Sequence, residues 1–402
     1  MIAIALAAAL VLGQQAPSAP EDAWFQGEHF TGDWGGARSL LADHGLTIDA
    51  IYSAELFANA TALAHQERAL TMLGHLDLAL TLDTGKLGLW PGGKFYALGQ
   101  NNHGDGINEV TGSANVISNL ETGAPYTQLT ELFFEQALFG ERLKFRVGKQ
   151  DANREFGTPR YGGNFLNDSF GMYPTSPLPS YPSTGLGAVV IGQPLEWLSV
   201  RAGLYEGSPV AGSGLDSAFK PGAGFAVVGG LAVSHRYGAD HRNGGVTSVG
   251  VWYQSVELPE LTDVAPPRTF GSDVGVLVQN DERIYSSPSN PDDPGGLNII
   301  TRFAWSQPDR TPIALYAGGS VAWHGLGELR HDDTVGLGFG YFSVAQQLNG
   351  HLGPGAEYFV EAFYKLRLTR FLSLQPDLEL YRHPGGDGRD AVLAGMRLKA
   401  KL

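Results

Sequence analysis

The chain has 402 residues, with 27 Lys and Arg against 41 Asp and Glu, a formal net charge of −14, and no cysteine. The lack of cysteine excludes disulfides, thiolate metal sites and thiol nucleophiles. The acidic balance argues against nucleic acid as a partner, because phosphate neutralisation needs clustered Lys and Arg. The 55 glycines have no collagen-like period and suit a fold with many tight turns and closely packed strands.

The first 20 residues predict a signal peptide. Residues 1–13 form an uncharged apolar run, followed by Gln-Gln-Ala-Pro-Ser-Ala-Pro, which is typical of a secretory signal and its cleavage zone. A helix of that run would span only about 20 Å, too little for a bilayer core. After residue 20 no apolar stretch approaches the length of a membrane helix. An exported chain of this kind is either soluble or a closed barrel, because open strand edges cannot face lipid.

Residues 21–45 precede the first strand, and we interpret them as a periplasmic N-terminal segment. Within it, Ala37 to His44 predicts a short helix, with Leu40 and Leu41 apolar and Gly45 past its end as a cap.

From Leu46 onward the chain alternates apolar and polar residues, which predicts an antiparallel β-barrel over 46–402. Several segments reach the length that a tilted strand needs to cross a bilayer, and an even strand count is typical of bacterial outer-membrane barrels. The all-β fold class therefore takes the form of a transmembrane barrel of about sixteen strands. The predicted strands are 46–58, 72–83, 92–100, 128–139, 142–151, 185–192, 197–206, 224–236, 245–256, 273–285, 297–306, 312–323, 333–345, 356–369, 373–383 and 390–402.

The clearest pattern is a hairpin between Thr130 and Gln150. A two-residue loop at Gly140-Glu141 places Leu138 opposite Leu143 and Phe134 opposite Val147 on an apolar face. The other face then carries Glu135 directly opposite Arg146, because side-chain direction follows from the register.

A second hairpin near the C-terminus has the same two faces. A three-residue turn at residues 370–372 would place Lys365 opposite Asp377 and Arg367 opposite Gln375 on the polar face.

Aromatic residues and long loops fit the same architecture. Tyr52, Trp252, Tyr358 and Tyr364 lie near strand ends or on apolar faces, as in the aromatic girdles of membrane barrels. The long loops 101–127 and 151–184 would lie on the outer side, and folding inward would narrow an otherwise wide lumen.

Five groups of residues resemble the carbohydrate-selective porins of the OprB family, in that family's order along the chain. They are Gly32-Asp33-Trp34-Gly35-Gly36-Ala37-Arg38 with Leu41, Gly45 and Leu46; Ser118-Asn119-Leu120-Glu121; Phe134-Glu135-Gln136 through Leu143, Arg146, Val147, Gly148 and Lys149; Asp332 to Gly338; and Leu374 to Leu378 with Pro384-Gly385-Gly386. The resemblance implies a sixteen-stranded outer-membrane channel through which monosaccharides diffuse past a constriction of arginines and carboxylates.

Charged residues on the polar faces are the candidates for that constriction. Sugars are neutral polyols, so a selective pore needs many hydrogen-bond donors and acceptors without one dominant charge, which Arg opposite Glu provides. The candidate pore-lining residues are Glu131, Glu135, Lys144, Arg146, Lys149 and Arg154, with a second cluster of Lys365, Arg367, Asp377 and Glu379. The alternative is that each residue only solvates the lumen wall and braces the register, as cross-strand ion pairs do for roughly 0.2–1 kcal/mol.

The sequence therefore predicts an outer-membrane diffusion porin for small sugars such as glucose, with no catalysis, cofactor or metal. Its expected partners are small neutral sugars and outer-membrane lipid, as a monomer or a homo-oligomer. Three alternatives stay open: a general porin that is non-selective or prefers cations, an outer-membrane barrel enzyme such as a lipid hydrolase, and a soluble secreted sugar-binding sandwich. No Gly-x-Ser-x-Gly motif supports the enzyme.

Overall fold

Sixteen strands close into one antiparallel barrel in which sequence neighbours pair and the last strand pairs with the first. The computed structural model describes residues 24–65, 67–160, 164–212, 220–238, 243–262, 265–286, 295–326, 330–348, 351–386 and 388–402. The predicted signal peptide lies outside these residues. No helix within them is long and apolar enough to cross a membrane.

The barrel strands agree with the sixteen predicted segments, and two further strands form a separate small sheet. The separate pair is β10 (Leu258–Pro259) and β11 (Thr269–Phe270). The barrel consists of β1 (Leu46–Asn59), β2 (Leu70–Asp83), β3 (Gly93–Gly104), β4 (Tyr126–Leu138), β5 (Leu143–Gln150), β6 (Gly185–Leu195), β7 (Leu198–Glu206), β8 (Phe225–Tyr237), β9 (Asn243–Ser255), β12 (Asp273–Ser286), β13 (Gly296–Ser306), β14 (Ile313–His324), β15 (Thr334–Leu348), β16 (His351–Arg367), β17 (Leu372–Arg382) and β18 (Ala391–Lys401).

Alternation of side chains separates a lumen face from an outer face in each strand. In β13, Asn298, Arg302 and Ser306 are buried, whereas Phe303 and Trp305 on the alternate positions are exposed. Exposed large apolar residues recur in the same way around the barrel, as expected of a wall that faces hydrocarbon.

The predicted N-terminal helix is confirmed. It spans Ala37–Asp43 (α1), and Gly45 follows with a φ of +91°, the left-handed conformation that favours glycine after a helix. The Phe30 N–H donates to the Lys401 carbonyl (2.8 Å), and the Arg38 guanidinium donates to the Leu402 carbonyl (2.9 Å). The segment before β1 therefore lies across the seam where β1 meets β18.

The register of the β4–β5 hairpin is confirmed, with Glu135 opposite Arg146 and Phe134 opposite Val147. Its connection is longer than the two residues predicted. The strands end at Leu138 and Leu143, and Phe139 and Glu141 have positive φ values of 54° and 68°. Because the left-handed backbone extends from Phe139 to Glu141, Phe139 and Arg142 belong to the turn and do not pair with each other.

The predicted register of the β16–β17 hairpin is wrong by two residues. Asp377 lies opposite Phe363, and Arg367 lies opposite Ser373. The Thr369 hydroxyl accepts the N–H groups of Phe371 (3.3 Å) and Leu372 (3.0 Å), which places the turn one residue earlier than predicted. A shift of one residue in the turn moves the register by two, so the two faces remain correct while the partners change.

Pro376 interrupts the same hairpin on one side only. The β16–β17 pairing has a gap between Phe363–Asp377 and Leu366–Leu374, whereas Pro376 pairs with Met396 in an unbroken β17–β18 ladder. Proline has no N–H to donate, and the gap in pairing lies between β17 and β16.

Trp252 is not part of an outer girdle as predicted. It is only 3% exposed and faces the lumen, while its neighbours Val251 and Tyr253 occupy the outward positions. Side chains alternate between the two faces of a strand, so Trp252 faces the lumen when Val251 and Tyr253 face lipid.

The barrel has two unlike ends. The start of β1 and the C-terminus lie at one end, which we name the turn end, together with the β4–β5 and β16–β17 turns. The opposite end, the loop end, carries the connections 105–125 and 151–184. Both long connections fold into the lumen, where Ile117, Phe165 and Phe170 are almost fully buried.

Candidate functional site: a polar passage beside an inward-folded loop

A segment of the second long loop, residues 151–160, crosses the lumen; we name it the crossing segment. At one end the Asp151 N–H donates to Glu131 on β4 (3.0 Å), and at the other the Arg160 N–H donates to Asp281 on β12. Between them, Arg302 on β13 donates to the Gly157 carbonyl (2.9 Å). Wall side chains therefore bind the backbone of the segment and fix its course across the barrel.

Arg154 and Glu131 form the ion pair that faces the open lumen. The Arg154 guanidinium donates to both oxygens of Glu131 and lies over the ring of Tyr96, 5.2 Å from its centroid. Glu131 is 2% exposed and Arg154 38%, so the guanidinium borders the cavity while its partner supports it from the wall. A fork of fixed N–H donors beside an aromatic ring suits recognition of sugar hydroxyls.

A second arginine ties the crossing segment to the neighbouring hairpin. Arg146 on β5 donates to Glu135 through Nε (2.9 Å) and Nη2 (2.6 Å), and Nη2 also contacts Glu155 of the segment (2.9 Å). Arg146 and Glu135 are both nearly buried, and the guanidinium lies 4.9 Å from the Phe133 ring centroid. Because Glu155 directly follows Arg154, the contact with Arg146 helps to hold the backbone of Arg154 in place.

A cavity of about 620 Å³ adjoins Arg154. Four carboxylates border it, on Asp49, Asp77, Glu131 and Asp151, together with the permanent cations Arg154 and Lys401. Its remaining described lining is His29, Ala50, Ile51, Ala79, Tyr96, Leu98, Gln100 and Thr158. The space is polar, contains both signs of charge, and falls within the size range of small-molecule sites.

Asp151 is the titratable group of the crossing segment at this cavity. Enclosure between the segment and the wall, with the Glu131 carboxylate nearby, raises the pKa of Asp151 to about 7. Hydrogen bonding to the Asn153 N–H (2.7 Å) and the charge of Arg154 act in the opposite direction. The charge of the cavity therefore changes near neutral pH.

Carboxylates on β16 and β17 hold the long loops against the opposite wall. Glu361 accepts the N–H groups of Leu166 (2.7 Å) and Asn167 (3.1 Å), while Glu379 accepts from the Asn167 amide (3.0 Å). Glu357 accepts the Ala114 N–H (2.8 Å) from the first long loop. These wall carboxylates serve as anchors for loop backbone, and their lumen positions are closed to solvent.

An aromatic cluster completes this attachment. Phe165 and Phe170 of the loop pack on Phe363 and Phe359 of β16, with ring centroids 4.9 and 5.7 Å apart. Glycines of β15 leave room for these rings: a Cβ on Gly338 would lie 2.4 Å from Phe170 Cζ. The aromatic cluster therefore fills one side of the lumen.

The predicted site residues fall into four sets. Glu131 and Arg154 border the cavity, and Glu135 and Arg146 support the crossing segment. Asp377 and Glu379 are buried on the wall that carries the loop. The remaining residues lie apart from the cavity: Lys144 pairs with Glu141 of the turn (3.2 Å), Lys149 is 2% exposed, Lys365 donates to Asn164 (2.7 Å), and Arg367 donates to the Arg370 carbonyl (2.5 Å).

Several lining residues were missed from the sequence. Asp49 lies between Ile48 and Ala50, and Asp77 between Leu76 and Leu78, so the alternation alone could have marked both aspartates as lumen residues. Tyr96 and Gln100 lie on β3, for which no face was assigned. Arg397 does not line the cavity, but its contacts were also missed. It pairs with Glu55 across the β1–β18 seam and donates to Asn119 (2.7 Å), and predicting this requires knowledge of which strands close the barrel.

Comparison with known proteins identifies the family. The family model described as "Carbohydrate-selective porin, OprB family" matches residues 67–402. The chain belongs to this family. It is 23% identical to Porin B of Pseudomonas aeruginosa over 448 residues, covering 97% of this chain and 95% of that protein.

Solved structures show the same fold. The high-pH structure of Pseudomonas putida OprB superposes with a TM-score of 0.82 at 18% identity, covering 94% of this chain and 99% of that one. The low-pH structure of the same protein gives a TM-score of 0.63 at 17% identity with the same coverage. The chain is thus an OprB-family β-barrel of the bacterial outer membrane, a channel and not an enzyme.

Proposed function

We propose that this OprB-family porin lets monosaccharides such as glucose diffuse through the cavity beside Arg154. The observation that carries the proposal is the arrangement at that cavity: a guanidinium held by Glu131, a tyrosine ring, and carboxylates on the facing strands. Sugars present hydroxyls that both donate and accept, so a wall with both kinds of group can replace their hydration.

The position of the crossing segment supports a size limit. The sixteen-stranded wall would enclose a wide lumen, but the crossing segment and the aromatic cluster occupy much of it. A passage reduced to one side favours a monosaccharide over longer oligosaccharides.

The passage need not be cation-selective to serve sugars, but its charges favour cations over anions. Four carboxylates outnumber the two permanent cations in the described lining, and a neutral Asp151 at low pH reduces this excess. A general porin with cation preference is therefore the second candidate function.

Liposome swelling separates the two candidates. Proteoliposomes containing the full chain should swell rapidly in glucose, more slowly in a disaccharide and not measurably in a trisaccharide. A non-sugar polyol of glucose-like size tests recognition: equal rates for it and for glucose favour the general porin. No swelling in glucose would contradict sugar diffusion.

A further inference from the structure

A second cavity, of about 590 Å³, lies at the turn end and is bordered by Arg160, the last residue of the crossing segment. Its described lining contains three arginines, Arg160, Arg236 and Arg283, and one carboxylate, Glu196. The first cavity has the opposite balance, with carboxylates in excess. The crossing segment therefore borders two spaces of opposite charge, and we name the second one the cationic cleft.

Strand register places two of these arginines on either side of a glycine. Arg236 on β8 pairs with Gly244 on β9, and Gly244 in turn pairs with Arg283 on β12. Two strand spacings separate the arginines, roughly 10 Å. Gly244 has a φ of +151°, and a Cβ there would lie 2.2 Å from the His235 carbonyl oxygen. Only backbone therefore lies between the two arginine side chains, and position 244 has no room for a side chain.

The third arginine comes from the crossing segment. The Asp281 carboxylate on β12 accepts the Arg160 N–H, and Asp281 pairs with Val246, itself part of the cleft lining. That bond holds the backbone of Arg160 at the wall beside the cleft. Three guanidinium groups from three separate elements thus converge on one space.

Other lining groups suit a hydroxylated ligand. Trp197 is 52% exposed, and its carbonyl accepts the Ser234 N–H (2.8 Å), which fixes the position of its backbone. The Ser234 hydroxyl and the Asn243 amide also line the cleft. An indole ring supplies an apolar surface for a sugar ring, while hydroxyl and amide groups can bond its hydroxyls. At the rim, His235 pairs with Glu282 (2.8 Å).

We propose that the cationic cleft binds a hexose-sized sugar that carries a carboxylate or a phosphate group. The guanidinium fork matches the geometry of both anions, and the volume is within the range of small-molecule sites. That the ligand is a sugar rests on the proposed function; that it is anionic rests on the arginines alone. The cleft offers acidic sugars a binding site, whereas the carboxylates of the first cavity disfavour them.

Calorimetric titration of the detergent-solubilised full chain tests this, with gluconate, glucose 6-phosphate and glucose as probes in buffer of constant ionic strength. Saturable binding of at least one anionic sugar is expected, and the stronger of the two identifies the anion. Arg236→Gln should weaken that binding by about tenfold, since it removes one charge-assisted contact. Arg268→Gln is the matched control, because Arg268 is exposed in the small β10–β11 sheet region and pairs with Glu260; it should bind as the parent does.

No saturable binding of either anion would overturn the proposal. So would unchanged affinity in both Arg236→Gln and Arg283→Gln, or equal binding of glucose, which would show that the charge plays no part. Glucose swelling of proteoliposomes is measured on the same preparations. Failure of glucose flux with intact anion binding removes the proposed function and leaves the cleft, and the reverse result removes the cleft alone.

Discussion

Replacing Arg154 with glutamine should make the channel more cation-selective. The change keeps a polar side chain of similar shape at the cavity but removes one of its two permanent cations, leaving four carboxylates opposite Lys401 alone. Glu131, which is 2% exposed, loses its ion-pair partner and adds its full field to the passage.

The size of the effect follows from Coulomb's law. A monovalent ion that passes about 5 Å from the altered charge changes in energy by about 0.8 kcal/mol in water, or about 0.5 kcal/mol with screening at 0.1 M salt. Cations then gain roughly twofold in the passage and anions lose roughly twofold, so the ratio of cation to anion permeability should rise about fivefold.

Reversal potentials in planar bilayers under a potassium chloride gradient measure this ratio. Arg268→Gln carries the same loss of charge far from the cavity and should leave the ratio unchanged. If Arg154→Gln gives the parental ratio, ions do not pass beside Arg154 and the cavity is not the passage.

Three further predictions concern the groups around this passage. Because the pKa of Asp151 is raised to about 7, the preference of the channel for cations should increase as the pH rises from 6 to 8. Asp151→Asn should abolish this pH dependence. The same pH dependence in the variant would show that another group is responsible. Gly338→Val should displace the Phe170 ring, because a Cβ at position 338 would lie 2.4 Å from Phe170 Cζ. The displaced ring should raise the conductance and the current noise of the channel. Gly229→Ala is the control and should behave as the parent, because no atom lies within 4 Å of the Cβ position at Gly229. Replacing both Glu135 and Arg146 with alanine should release Glu155 and alter glucose flux while the barrel still assembles; unchanged swelling rates would show that the pair only braces the wall.

The same Asp151 also makes the packing of the loop depend on pH. Its pKa is higher in the folded channel than the ordinary value of 3.8, so the folded state binds the proton more tightly. Its contribution to stability is therefore complete at acidic pH and is lost as the pH rises towards 7. Burial likewise raises the pKa values of Glu121 and Asp168 in the inward-folded loops to about 7. Protection factors of loop amides, which correct for the faster intrinsic exchange at high pH, should accordingly be lower at pH 8 than at pH 6.

The barrel could be predicted from the sequence because its signals are local. Alternation over strands such as β4 and β5 fixes which side chains face lipid, and a short connection fixes the partner strand. The Glu135–Arg146 contact followed from these two facts alone. Where the turn was placed one residue too late, as after β16, the faces survived and the pair Lys365–Asp377 did not.

The course of the loops could not be read in the same way. Residues 151–184 have no period, and their position depends on bonds to strands far along the chain, such as Arg160 to Asp281 and Asn167 to Glu379. Asp377 and Glu379 therefore looked like pore-lining residues, although the structure buries them on the wall against which the loop packs. The sequence predicted which residues face inward but not which of them the loops would cover.

Glucose-induced block of the ion current tests the central claim most directly, since it requires sugar and ions to share the cavity at Arg154. In planar bilayers, glucose should reduce the potassium current through the parent channel in a saturable way. The double variant Glu131→Gln with Arg154→Gln should lose most of that block, and Arg268→Gln should retain it. Equal block in the parent and the double variant, or none in either, would contradict passage of sugar beside this ion pair.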